Sequence, residues 1–245
     1  MSLTNPKRHI VIPDCQVRPG TRIDHLSWAG NYIADKRPDS IICLGDFWDL
    51  FSLNMYEKGK RTMEGARFRK DVDHGNEAMG LLTKPYRKIK GYDPNEEFLM
   101  GNHEDRADRV GNMNPELEGI VSSKALDLSG WKVHKFLEVA TVDRVQYSHY
   151  FTSGVKGNPV SSAAALLRTR HSSAIMGHVQ TLDIAVHPKT QHIGLFAGIF
   201  YQHNERYLGP QGNNTKRGIW VLNEVVNGTF DPMFVSLGFL KRRYS

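Results

Sequence analysis

Short apolar runs that stop abruptly at Gly, Asp, Asn or His recur along this chain and set its plan. Arg8-His9-Ile10-Val11-Ile12 reads as a buried strand halted by Pro13, with Asp14 behind it. A helix is expected from about Arg22 to Lys36. Ile23, Leu26 and Ile33 give it an apolar stripe, Thr21 and Asp24 stand near capping-box spacing, and Pro38 marks its end. A second strand, Ser40 to Leu44, runs into Gly45-Asp46-Phe47-Trp48-Asp49. Strand, helix and strand in that order imply a crossover and parallel pairing, which would bring Asp14 and Asp46 to one sheet edge.

Residues 51–95 read as a helical excursion in which Phe68, Val72, Met79 and Leu82 keep helical spacing and Pro85 kinks or ends the segment. A third strand, Glu97 to Met100, leads into Gly101-Asn102-His103-Glu104, and residues 105–130 read as helical and polar. A hairpin turning at Asp143-Arg144 delivers His149. Ser161 to Arg170 reads as a short helix, and Ala174-Ile175-Met176 runs into Gly177-His178-Val179-Gln180. The remainder is strand-rich, with one strand over Gly194 to Tyr201. A hairpin of Ile219 to Val226 and Thr229 to Val235 is closed by Asn227-Gly228, a type I′ pair. The basic tail Lys241-Arg242-Arg243 is expected to fray. No repeat, low-complexity tract or linker interrupts the 245 residues, so one domain is expected.

Composition narrows the class without naming a substrate. A chain that is 40% hydrophobic and 24% charged is ordinary for a globular protein. No apolar run approaches the roughly 20 residues that cross a bilayer, and the opening Met1 to Arg8 lacks leader character. Cys15 and Cys43 are too few for a disulfide framework, so a reducing cytoplasm is the expected compartment. A net charge of +6 and a pI near 9.3 suit an anionic partner such as a polynucleotide, although a mild excess of Lys and Arg also serves solubility. The basic runs at 58–61 and 67–70 read first as a solvated face and second, because they follow the Asp46 loop, as phosphate contacts.

The chemistry lies at the strand ends. They supply Asp14, Gln16, Asp46, Asp49, Asn102, His103, His149, His178 and Gln180. Carboxylates, imidazoles and side-chain amides on one edge suit divalent ions such as Mn²⁺, Fe²⁺ or Zn²⁺. A carboxylate shared by two such ions ~3.5–4 Å apart is an arrangement that hydrolyses phosphate esters.

This order of motifs resembles the calcineurin-like metallophosphoesterase family, and within it small phage-borne or bacterial members. That family carries Asp-x-His, Gly-Asp-x-x-Asp, Gly-Asn-His-Asp/Glu, a later His and Gly-His-x-His. Here the matching stretches are Asp14-Cys15-Gln16, Gly45-Asp46-Phe47-Trp48-Asp49, Gly101-Asn102-His103-Glu104, His149 and Gly177-His178-Val179-Gln180. The resemblance implies an α/β fold, a four-layer α/β/β/α sandwich of two mixed sheets flanked by helices. It implies two divalent metal ions, Mn²⁺ first, with Fe, Zn or Mg as alternatives. Asp46 would bridge them, and Asn102, His149 and His178 would complete one site. His103 would protonate the leaving oxygen or stabilise the phosphoryl charge. Asp49 would orient His103 or a loop amide, with a helix N-cap as its competing role.

Gln16 and Gln180 stand where the family has histidines, both on the other metal's side, beside Asp14. An amide oxygen is a neutral, weak donor, so the Asp14/Gln16/Gln180 site is expected to be weak or empty. The expected activity is metal-dependent hydrolysis of phosphate esters. A DNA or RNA phosphodiester is favoured, with Arg106, Lys60 and Arg61 as substrate contacts and no membrane partner. The alternatives are a phosphomonoesterase acting on a nucleotide or phosphoprotein, or a degenerate nucleic-acid-binding module. His74, His187, His192 and His203 fall outside the motif pattern and read as surface or satisfied core residues, and Cys15, between two candidate ligands, reads as a packed thiol rather than a nucleophile.

Overall fold

The strand β1 (Lys7–Ile12) lies inside a six-stranded sheet and pairs in parallel with β2 (Ser40–Cys43) after the helix α1 (Asp24–Lys36). Their register sets Ile10 against Ile41 and Ile12 against Cys43, so Asp14 and Asp46 leave the sheet at the same edge. The computed structural model describes residues 5–117 and 119–245; Met1–Thr4, part of the opening read as free of leader character, and Glu118, within the 105–130 stretch, lie outside them. After α2 (Phe68–Arg87) comes β3 (Asn95–Leu99), parallel to β2, and after α3 (Asn102–Met113) comes β4 (Lys132–His134), parallel to β3. On the other side of β1 lies β12 (Gly218–Val226), followed by β13 (Thr229–Ser236), both antiparallel to their neighbours. Asn227 and Gly228 take positive φ at the tip of that last hairpin, as the type I′ turn requires.

The second sheet runs β10 (Leu182–Val186), β11 (Ile193–Ala197), β9 (Ala174–Met176), β6 (Val145–Ser148) and β5 (Ala140–Val142). β6 and β9 are parallel to each other, so His149 and Gly177-His178 also emerge together. The short pair β7 (Thr152–Ser153) and β8 (Asn158–Pro159) and the helices α4 (Ala163–Arg170), α5 (Gly209–Asn213) and α6 (Leu237–Tyr244) complete the described elements.

Alternation along each strand distributes the core. Ile10, Ile12, Ile41, Cys43 and Phe98 face the helices α1 and α2. Val11, Ile42, Leu44 and Leu99 face Tyr147, Ile175, Leu195 and Ala197 of the second sheet. On that sheet's far side Ala174, Met176 and Phe196 cover Leu166 of α4. The layers are therefore helices, sheet, sheet and helix, the expected sandwich. Strands buried on both faces read as continuous apolar runs, which is why β2, β9 and β11 carry no polar alternation.

Several local expectations are corrected. α1 starts at Asp24 without a side-chain cap, because the N-cap position falls on Ile23, which has no polar side chain, while the Thr21 hydroxyl donates to the Arg18 carbonyl at 2.7 Å. Pro85 lies inside α2, which continues to Arg87. The 105–130 stretch is α-helical only to Met113 and then proceeds through 3₁₀ turns. The strand expected to reach Tyr201 stops at Ala197, where Gly198 takes a φ of +78°. The strand β10, half-exposed at the sheet edge, was not anticipated. The basic tail does not fray: it forms α6, buries Leu240 completely and packs Phe239 and Tyr244 edge-on to Tyr32 of α1. Among the described residues, no helix is long and apolar enough to cross a membrane.

Two predictions follow from this packing. Leu240→Ala should cost roughly 2–5 kcal/mol by denaturant titration, since a fully buried leucine leaves a cavity. The second concerns His25, buried in α1 with its Nε2–H donating to the Phe200 carbonyl at 2.9 Å. Burial drives its pKa from 6.5 down to about 4, against that hydrogen bond. Between these values the unfolded chain binds a proton that the folded one refuses, so stability falls as pH drops through this window, by about 3 kcal/mol in all. His25→Gln should flatten that part of the stability profile.

Candidate metal centre

Parallel strands place Asp14, Asp46 and Asn102 beyond β1, β2 and β3, and the second sheet contributes His149 and His178 from beyond β6 and β9. Asp46, His149 and His178 offer ligand atoms that all lie within 4.8 Å of one another. The Asn102 Oδ1 stands 3.0 Å from His149 Nε2 and 2.8 Å from His178 Nδ1, and Asp46 Oδ1 is 3.4 Å from His149 Nε2. His149 Nδ1 lies 2.7 Å from the Leu44 carbonyl, to which it must donate, so its Nε2 lone pair faces the other donors. A carboxylate, an amide oxygen and two imidazole nitrogens are thus turned on one point, a set that fits a divalent transition cation.

The electrostatics agree. Burial alone would lower the His149 pKa, yet the Asp46 carboxylate raises it to about 9, so the centre draws positive charge inward. Burial would raise Asp46, but His103 and His149 hold it well below the carboxylate range. His178 is lowered to about 4 by burial and by His149 beside it, which keeps its nitrogen lone pair available.

The backbone at these loops is unusual. Gln16, Asp46, His178 and Gln180 all take positive φ, between 42° and 65°. Such conformations persist in non-glycine residues only where the surroundings enforce them, and they gather at functional sites. Two glycines make the close approaches possible: a Cβ on Gly101 would collide with the Asp46 carboxylate, and one on Gly177 with that of Asp14. What fastens the loops is Glu104, fully buried in the first turn of α3. Its Oε1 accepts the amides of Phe47 (2.7 Å) and Trp48 (3.0 Å), and its Oε2 those of Asp46 (2.9 Å) and Gly101 (2.8 Å).

His103 opens α3 beside this centre. Its Nδ1 lies 2.9 Å from the Asp49 carbonyl and 3.0 Å from Asp49 Oδ1, so Nδ1 carries a hydrogen and Nε2 is the free face, 3.7 Å from Asp46 Oδ2. Burial would lower its pKa, but Asp46 and the hydrogen bond to Asp49 raise it overall. Asp49 is itself held by Arg18, whose Nη1 sits 2.7 Å from Asp49 Oδ2 and 2.8 Å from Glu205 Oε1. Glu205 in turn meets His203 Nε2 at 2.7 Å. Glu104, Arg18, Glu205 and His203 were not singled out as site residues. The Glu in Gly-Asn-His-Glu was the one available signal, whereas the Arg18–Glu205 contact spans 187 positions.

The other half is sparser. Asp14 is buried, its Oδ1 accepting the His178 amide at 3.1 Å, and its Oδ2 has no protein partner. Gln16 is buried with its Nε2 unpartnered, and the Gln180 Oε1 accepts the Tyr201 hydroxyl at 3.2 Å. A cleft of about 1140 Å³ opens from Gln16, Asp49, Asn102 and His103. Arg106 lines it, its guanidinium 3.3 Å from the Asp49 carbonyl, and Lys60 lines it while paired to Glu57 at 2.8 Å. Arg61 is exposed in a 3₁₀ turn and is not among the lining residues.

No family model matches the chain. The gene 54 protein of Mycobacterium phage L5 is 26% identical over 189 residues, 74% of this chain and 72% of that protein. Wild-type Vps29 from Entamoeba histolytica, solved in complex with Zn²⁺, aligns with a TM-score of 0.42 and 12% identity over 94% of this chain and 99% of that one. A second solved structure aligns with a TM-score of 0.41 and 13% identity over the same shares.

Glu104→Gln should show what holds the centre. It turns an acceptor into an N–H₂ facing backbone amides, which should cost roughly 3 kcal/mol of stability. It should also lower retention of Mn²⁺ after dialysis. A variant matching the parent in both respects would refute the fastening role.

Proposed function

We propose that this chain is a divalent-metal-dependent phosphoesterase of the metallophosphoesterase type, acting on phosphodiesters of DNA or RNA. The observation that carries this reading is the meeting of the Asp46, Asn102, His149 and His178 donors beside the His103–Asp49 pair, with Asn102, His103 and Asp49 lining one cleft. A divalent cation bound by those four residues, Mn²⁺ being our first choice, would activate water and neutralise charge developing at phosphorus.

The chain's own residues do the rest. Asp49 fixes the ring of His103 through Nδ1, leaving Nε2 as the atom that gives a proton to the leaving oxygen. The raised pKa keeps that proton available towards neutral pH. Against its burial, His103 and then Arg18 keep Asp49 ionised, and Arg18 holds it in place. Arg106 supplies a fixed positive charge on the cleft wall for a phosphate. The rim carries Tyr56, 88% exposed, together with Arg67 and Lys70, a mixture that suits a base and its phosphate backbone. Phosphomonoester hydrolysis is the competing reading within the same chemistry, and binding without turnover is the competing reading outside it; the Gln16 and Gln180 amides favour the latter.

A panel of Mn²⁺, Zn²⁺, Fe²⁺ and Mg²⁺, assayed on single- and double-stranded DNA, RNA, bis(p-nitrophenyl) phosphate and p-nitrophenyl phosphate, separates the three. Diester turnover is expected with Mn²⁺. His103→Ala should lower kcat by about 10²–10⁴-fold, the usual range for a general acid, while leaving bound metal unchanged. Full turnover in that variant would sink the assigned role.

A further inference from the structure

The two halves of the centre differ in kind. On one side a carboxylate, an amide oxygen and two imidazole nitrogens converge, and each imidazole presents a nitrogen to the shared point. On the other, the unmet demands are of opposite sign. Asp14 Oδ2 is a buried acceptor without a protein donor, and Gln16 Nε2 is a buried donor without a protein acceptor. As the side chains lie, a cation would satisfy the first and leave the second stranded, and turning the Gln16 amide over would offer it only a neutral, weak oxygen. The remaining amide there, Gln180, has its carbonyl oxygen engaged by the Tyr201 hydroxyl. Asp46, the one carboxylate available for sharing, sets Oδ1 against the His103 amide at 3.0 Å and His149, and Oδ2 towards His103. Too few ionisable donors are left for a second transition-metal site, which needs about four ligands.

A buried polar atom left unpaired costs about 1–3 kcal/mol, so a pair of opposite type in one turn calls for a group that both donates and accepts. Water does both. We infer that the chain binds a single divalent cation, at Asp46, Asn102, His149 and His178, and that the Asp14–Gln16 turn seats a water molecule where a second cation would otherwise lie. The water donates to Asp14 Oδ2 and accepts from Gln16 Nε2. Gln16 also lines the cleft, so the seat is continuous with the space in which an ester would lie. The inference rests on the cation at the first site and not on hydrolysis.

Metal content tests it directly on the full chain, stripped with chelator and titrated with Mn²⁺ alone. The expected stoichiometry is one Mn²⁺ per chain by calorimetry and elemental analysis, with the EPR spectrum of an isolated ion. Asp14→Asn keeps the acceptor for the His178 amide and should retain that ion with less than a tenfold change in Kd. His178→Ala should lose it. Gln16→His combined with Gln180→His should take up a second ion and give the EPR signature of an exchange-coupled pair. Two ions on the parent chain, loss of the only ion in Asp14→Asn, or a double variant still limited to one would overturn the inference. One ion with no turnover on any ester would instead sink the hydrolytic reading and leave this one standing.

Discussion

A single buried carboxylate holds the centre together. Glu104 accepts four backbone amides, three from the turn after β2 and one from the turn before α3, across more than 50 positions of sequence. Removing a carboxylate from water is expensive unless its oxygens find donors, and here the donors are the amides that a left-handed Asp46 and its neighbours turn inward. The strained loop and the buried charge therefore require each other. Once they are joined, Asp46 has nowhere to go except between His149 and His103.

Parallel topology does the coarse placement and this bond the fine one. Asp14, Asp46 and Asn102 share an edge because β1, β2 and β3 run the same way, and His149 and His178 share one because β6 and β9 do. The convergence of the two edges comes from sheet-on-sheet packing, in which Val11, Ile42 and Leu99 meet Tyr147, Ile175 and Leu195. The candidate metal centre is thus the place where the inner apolar layer runs out and polar strand ends take over.

Much of this was legible along the chain, for a physical reason. Buried parallel strands leave unbroken apolar runs, and a polar residue next to a glycine at the end of such a run is conspicuous, as at Gly45-Asp46, Gly101-Asn102 and Gly177-His178. Other features left no such mark. The role of Glu104 lies in accepting backbone amides, which are common to every residue and so invisible in the side-chain pattern. Arg18 and Glu205 meet only after both sheets have formed. The tail's apolar residues Leu237, Phe239, Leu240 and Tyr244 span barely two turns, too short a window for helical spacing to stand out beside Lys241-Arg242-Arg243. The capping pattern at Thr21 failed because the helix begins two positions later than that pattern requires, which puts Ile23, a residue with no polar side chain, at the N-cap.

The cleft is built from two materials. Its floor, at Gln16, Asp49, Asn102 and His103, rests on strand ends pinned by buried charge, where Gly101 and Gly177 leave no room for even a methyl group. Its rim, from Phe51 to Arg67, is turns and short 3₁₀ pieces with Met55 and Tyr56 largely in solvent. A change in the floor disturbs the whole molecule, whereas a change in the rim disturbs little beyond itself. The rim can therefore be rebuilt by substitution while the strand ends beneath it keep their places.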